Sequence, residues 1–152
     1  MHPSAYKAQR LRVQIRGSSL PPPLLTYNPA RGTWTLEETY AAHDGRWTLT
    51  IAAPFEFDLA SIPRLFWSLI APFELSIVAP LVHDFLYLEA GDPPSGGIVP
   101  QRHYTRADTD RLFLRLMKAE GVATWRRTLA FTVVRVFGGR YWGTPLGVRP
   151  PP

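Results

Sequence analysis

The sequence predicts an α+β protein: an N-terminal antiparallel β-hairpin or small sheet packed on three to four C-terminal helices. Three observations predict it. Apolar and polar residues alternate with period two on both sides of Asp44-Gly45. From residue 63 onward the apolar spacing changes to the three- and four-residue steps of helices. Glycine and proline clusters separate these segments, and no internal repeat is visible.

Taken in order, residues 11–16, "LRVQIR", alternate and read as a short strand. "SSLPPPLLTYNPARG" follows, and its three consecutive prolines exclude a central strand, so an extended surface connection is expected. "TWTLEETYAAHDGRWTLTIAAP" reads as a hairpin, because Asp-Gly suits a two-residue turn with positive φ at both positions. That turn sets Ala42 opposite Trp47, Tyr40 opposite Leu49 and Glu38 opposite Ile51. Trp34, Leu36, Tyr40 and Ala42 then share a face with Trp47, Leu49 and Ile51.

Residues 63–70, "PRLFWSLI", suit a short helix with proline at its first position. Residues 74–91 are apolar throughout, as in a buried helix that Pro80 kinks or starts and Gly91 ends. Residues 91–104 are a loop by composition. The next helix opens with Thr105 and Asp108, a capping box with aspartate in place of Glu or Gln. Leu112, Phe113, Leu116 and Met117 form its apolar stripe, and Gly121 closes it. A last helix spans 123–139.

A chain of 152 residues fits one domain, here 1–142, with a Pro/Gly-rich tail over 143–152. An apolar fraction of 45% with 19% charged residues excludes a disordered chain. The net charge of +5 favours acidic partners, but the arginines are dispersed, so no specific nucleic-acid binding is predicted. Without cysteine, disulfides and thiolate metal sites are excluded. The N-terminal residues carry no hydrophobic signal region, and no run of about eighteen apolar residues predicts a membrane span.

"LVHDFLYLEAG", residues 81–91, places polar groups in an apolar helix. His83, Asp84 and Tyr87 project from one broad side. Asp110 lies on the edge of the next helix's apolar stripe, where an acid needs a donor or a cation. Antiparallel pairing of the two helices brings Asp110 to His83, a base oriented by a carboxylate. Upstream, Asp58 and Ser61 either satisfy backbone N–H groups of a turn or join the site. In the second case Asp58 is a third carboxylate and Arg64 its counter-ion or an anion contact.

Four stretches in order, "FEFDLASIPRLFW", "APLVHDFLY", "TRADTDRLFLRLMKAEGV" and "VRVFGGRYW", resemble the domain of unknown function DUF1353. The matching positions are Phe55, Asp58, Ala60, Ser61, Pro63 and Arg64, then His83, Asp84, Leu86 and Tyr87. They continue with Arg106, Asp110 and Phe113, and end with Val134, Arg135, Phe137, Gly138 and Trp142. Phe57 stands where the family pattern has threonine. The resemblance covers roughly residues 45–142 and carries no established activity. It implies a phage or prophage setting: other phage particle proteins as partners, and the bacterial host cytoplasm or the virion as location.

The two helices are also distantly similar to the catalytic helices of phospholipase A2-like enzymes. That likeness implies His83 as the base that activates water, Asp84 as a calcium ligand, and Asp110 and Tyr87 as groups that orient His83. Calcium is then a possible cofactor. One departure is that those enzymes place a glycine-rich loop before the helix, and "DLASIPRLFWSLIAPF" contains no glycine. An HD-type phosphohydrolase arrangement would need His43 on a helix, yet His43 sits at the hairpin turn. The non-enzymatic reading makes His83, Asp84, Tyr87 and Asp110 a buried polar network. On the last helix Arg126, Arg127, Arg135 and Arg140 accompany Trp125, Tyr141 and Trp142. They suit either an anionic lipid surface or a core helix with solvated arginines. His2 and His103 carry no identifiable role.

Overall fold

The computed structural model describes residues 9–12, 17–58 and 77–144. The expected helix over 63–70, most of the strand over 11–16, and Ser61 and Arg64 lie outside these. The architecture is α+β; among the described residues two antiparallel sheets built almost wholly from N-terminal strands are followed by three α-helices. No helix among the described residues is long and apolar enough to cross a membrane.

The first sheet has the order β1 (Leu11–Arg12), β2 (Leu24–Asn28), β3 (Thr33–Leu36), β6 (Phe55–Phe57). Strand β2 falls inside the segment expected to be a surface connection. The three prolines precede it, so they remove no ladder hydrogen bond, and Leu25 is fully buried. The second sheet consists of β4 (Tyr40–Asp44), β5 (Trp47–Ile51) and β7 (Ile98–Val99). The expected long first hairpin strand is therefore two strands. It breaks at residues 37–39, leaving Trp34 and Leu36 in the other sheet.

The hairpin lies where the Asp-Gly pair places it, but its register differs. Asp44 pairs with Trp47, Ala42 with Leu49 and Tyr40 with Ile51. The loop is Gly45-Arg46, and of these only Gly45 takes positive φ, +58°. Glycine at the first loop position is the preference of the other common two-residue turn. Asp44 stays in the strand because its carboxylate is engaged across the molecule. It accepts from Tyr104 Oη and Arg115 Nη2, both at 2.8 Å. The shift moves each pairing by two residues, so the side chains keep their faces. Tyr40, Ala42, Leu49 and Ile51 are all buried.

Helix α1 (Val78–Leu88) is buried at every position from Val78 to Tyr87. Pro80 lies in its first turn, where a missing N–H leaves no bond unmade, so it marks the start rather than a kink. The helix closes with Ala90 N–H donating to Tyr87 O at 3.2 Å and Gly91 N–H to Leu86 O at 2.8 Å. Ala90 itself occupies the left-handed position, φ 48°. Helix α2 (Arg106–Ala119) begins with both bonds of the capping box formed by Thr105 and Asp108. It packs against α1 on one side and α3 (Thr124–Phe137) on the other. Residues 91–104, expected to be loop, contribute β7 to the second sheet.

Glu120, at the C-terminal cap of α2, is 2% exposed and reaches the start of α1. Its Oε2 accepts from Ile77 N–H at 2.8 Å and its Oε1 from Ala79 N–H at 2.7 Å. A carboxylate there satisfies two open N–H groups and meets the positive end of the helix dipole. The same charge and burial act on Tyr40, whose phenol is pushed up to about 12, chiefly by burial.

Gly91 accepts the close approach of Tyr104, whose N–H donates to Gly91 O at 2.9 Å. A Cβ at Gly91, where φ is +76°, would stand 1.7 Å from the Tyr104 carbonyl oxygen. Gly91→Ala is expected to destabilise the protein by about 2 kcal/mol or more, measured by denaturant unfolding. A loss within experimental error would refute this account of the junction.

Candidate functional site

Helices α1, α2 and α3 bring their polar residues to one carboxylate. Asp110 is fully buried, and its Oδ1 lies 2.9 Å from His83 Nε2 and accepts the Tyr87 hydroxyl at 2.6 Å. Its Oδ2 accepts from Arg135 Nη1 at 2.7 Å and lies 3.6 Å from Arg106 Nη1. His83 and Tyr87 are one helical turn apart on α1, so both reach the same oxygen. Asp110 sits one turn before Phe113 and Leu114 on α2, on the face turned toward α1.

Packing holds the imidazole as firmly as the hydrogen bond does. The His83 ring lies 4.1 Å from the Tyr87 ring and 4.7 Å from the Phe113 ring. His83 is 2% exposed. With a carboxylate at Nε2, that nitrogen carries the proton, and Nδ1 is the acceptor of the neutral ring. Burial pushes the Asp110 carboxyl up, but the His83, Tyr87 and Arg135 contacts outweigh it, and the net shift is downward. Tyr87 moves the other way: burial first, then the Asp110 charge, raises its phenol well above the ordinary value.

The fourth sequence stretch folds over this cluster. Trp142 meets the Tyr87 ring edge-on at 5.0 Å, and Gly143 N–H donates to Tyr87 O. A Cβ at Gly138 would stand 3.0 Å from Tyr87 Oη, so the glycine leaves room for the hydroxyl. Arg106 donates through Nη1 to Val134 O and through Nη2 to Arg135 O, both at 3.2 Å. One guanidinium thus holds the last carbonyls of α3 beside the carboxylate that Arg135 reaches.

Asp84 and Asp58 form a separate contact, with Asp58 N–H donating to Asp84 Oδ2 at 2.8 Å. Asp84 is 3% exposed. Among the described residues no group of three or more His, Asp or Glu side chains is placed to hold a metal. Asp84 with the other described side chains does not by itself make up a calcium ligand set. His43 lies exposed on β4 with its Nδ1 at 3.3 Å from Thr48 Oγ1, on a strand rather than the helix an HD-type site would need.

Arg135 and Glu120 were not singled out as site or capping residues in the sequence. Arg135 matches a position of the family pattern, but nothing in the sequence ties it to Asp110; the burial of that carboxylate marks it as the required cation. For Glu120 no sequence signal exists, because its partners lie some forty residues away.

Asp110→Asn is expected to destabilise the protein by about 3 kcal/mol at neutral pH, and Tyr87→Phe by about 1–2 kcal/mol. The Asp110 carboxyl is lowered in the folded state, so its stabilisation is complete above the unfolded pKa, about 4. It is lost as pH falls below that value through the lowered folded one. Melting curves between about pH 6 and about pH 2 should show an acid limb in the wild type that is reduced in Asp110→Asn. Identical acid limbs would contradict the assignment.

No curated protein and no solved structure matches the chain. The sequence profile of the family described as "Protein of unknown function (DUF1353)" matches residues 34–134. That span holds β3 to β7, both principal site helices and most of α3, including His83, Asp84, Tyr87, Arg106 and Asp110. The chain belongs to the DUF1353 family.

Proposed function

We propose that the chain is a phage-type accessory or particle-associated protein with a hydrolytic site in which His83 is the base. The phage setting rests on the family resemblance. The observation that carries the chemistry is the convergence of His83 Nε2 and Tyr87 Oη on one oxygen of Asp110, with Arg135 on the other. Replacing such buried ionic groups with apolar residues is often neutral or stabilising, so their concentration here favours a purpose other than stability.

In this reading Asp110 holds the imidazole with Nδ1 as acceptor, and Tyr87 fixes the carboxylate. His83 Nδ1 takes a proton from water as the oxygen adds to an ester carbonyl; the imidazolium, stabilised by Asp110, returns that proton to the ester oxygen as the adduct collapses to carboxylic acid and free alcohol. Asp110, Tyr87, Arg106 and Arg135 act as positioning residues. Asp84 is a neighbouring carboxylate bonded to the Asp58 backbone, and this reading routes no step through it. Anionic lipid is the substrate class we favour. Trp125 is 58% exposed at the start of α3, and residues 121–144 contain arginines but no acidic residue.

A second reading is supported by burial. His83 at 2% and Asp110 at 0% exposure suit a polar lock that fixes the packing of three helices in a structural protein. One experiment separates the two: fatty-acid release from anionic phospholipid vesicles by wild type and His83→Gln, with and without chelator, alongside melting temperatures. Release that persists with chelator and disappears in His83→Gln is the expected result. A folded wild type that releases nothing would overturn the hydrolytic reading. A lowered melting temperature in His83→Gln would then assign the cluster to helix packing.

A further inference from the structure

On the face of α1 opposite His83 a separate cleft of about 400 Å³ opens between β5, the start of β6 and the loop after α1. Ile51, Phe55 and Phe85 supply its apolar walls, Glu89 stands at the helix end, and Pro94 and Gly97 lie on the loop side. Phe55 and Phe85 meet edge-on with centroids 6.0 Å apart. The loop wall is held in place: Gly97 N–H donates to Pro94 O, and Thr50 N–H to Gly97 O, each at 2.9 Å.

Three features define what fits. The volume is that of a small-molecule site rather than a packing gap. Among the described residues no lysine or arginine lines it, although the chain carries a net charge of +5. Glu89 is half-buried, and among the described residues no hydrogen bond or ion pair reaches its carboxylate. The buried acids packed at α1 are engaged elsewhere: Asp84 with the Asp58 N–H, Glu120 with two helix N–H groups, and Asp110 with the three-helix cluster. Aromatic faces beside a carboxylate attract a cation with an apolar body, through ring quadrupole and charge together.

We infer that this cleft binds an ammonium ion borne on an apolar group, with Glu89 as its counter-ion and Phe55 and Phe85 as its aromatic walls. The site does not depend on the hydrolytic reading, because His83 and Tyr87 face the other side of α1. The charged head lies toward Glu89, and the apolar body fills the space against Ile51 and the two rings. A free amine and a lysine side chain share this chemistry.

The test is an amide chemical-shift titration of the full chain with benzyltrimethylammonium, 3-phenyl-1-propanol, 3-phenylpropionate and Nα-acetyl-lysine methylamide. The inference expects saturable shifts at Ile51, Phe85 and Gly97 with benzyltrimethylammonium, and weaker binding of the alcohol and the acid. Glu89→Gln should weaken binding of the cation about tenfold, the loss of one part-buried ion pair of roughly 1.4 kcal/mol. Its melting curve should stay that of the wild type, because among the described residues no side-chain bond of Glu89 holds the fold. Tighter binding of the lysine derivative than of benzyltrimethylammonium would identify the cation's source as a protein side chain. Equal binding of cation, alcohol and acid, undiminished binding by Glu89→Gln, or no saturable shift with either cation would overturn the inference.

Discussion

The structure depends on neutralising one buried negative charge. Asp110 has no solvent to stabilise it, and an isolated carboxylate in such a place would be costly enough to bind a proton instead. Its charge persists because α1 and α3 deliver donors, His83 and Tyr87 from the first and Arg135 from the second, with the Arg106 guanidinium of α2 itself 3.6 Å away. Those side chains reach one point only when the helices adopt one mutual arrangement. Apolar packing between α1, α2 and α3 would permit several small slides of one helix along another. The carboxylate permits one.

Around that point the other polar contacts serve the same alignment. Glu120 ties the end of α2 to the start of α1, so the pair is fixed at that end by a carboxylate on backbone N–H groups. Asp44 ties the hairpin to α2 through Arg115 and to the loop before α2 through Tyr104. Arg102 lies over both the Trp47 ring at 4.3 Å and the Tyr104 ring at 4.1 Å, closing the same seam by cation–π contact. The second sheet is thereby joined to the helical layer by charge as well as by its buried face.

The parts legible in the sequence were those whose signals are local. Thr105 and Asp108 announce a helix start three residues apart, and both bonds are present. The alternation around Asp44-Gly45 located a hairpin and the faces of its residues correctly. It did not locate the turn to the residue, because the choice between Asp44 and Gly45 as first loop position was decided by Tyr104 and Arg115, far along the chain. The break at residues 37–39 was illegible for a similar reason. Thr33–Leu36 alternates as well as Tyr40–Asp44 does, and only its partners β2 and β6 assign it to another sheet. In the site, one-turn spacing exposed His83 with Tyr87, and the misplaced acid pointed to Asp110. Arg135 and Glu120 act across a fold that no spacing rule describes.

Helix α3 buries only Ala130, Val133 and Val134 fully among its fourteen residues. Its apolar attachment is slight for its length, and much of its anchorage passes through Arg106 on its last carbonyls and Arg135 on Asp110. The protonation state of one hidden carboxylate is therefore coupled to the docking of a whole surface helix, some 21 Å long. A proton gained or lost at the centre of the molecule thus bears on how firmly an outer helix is held.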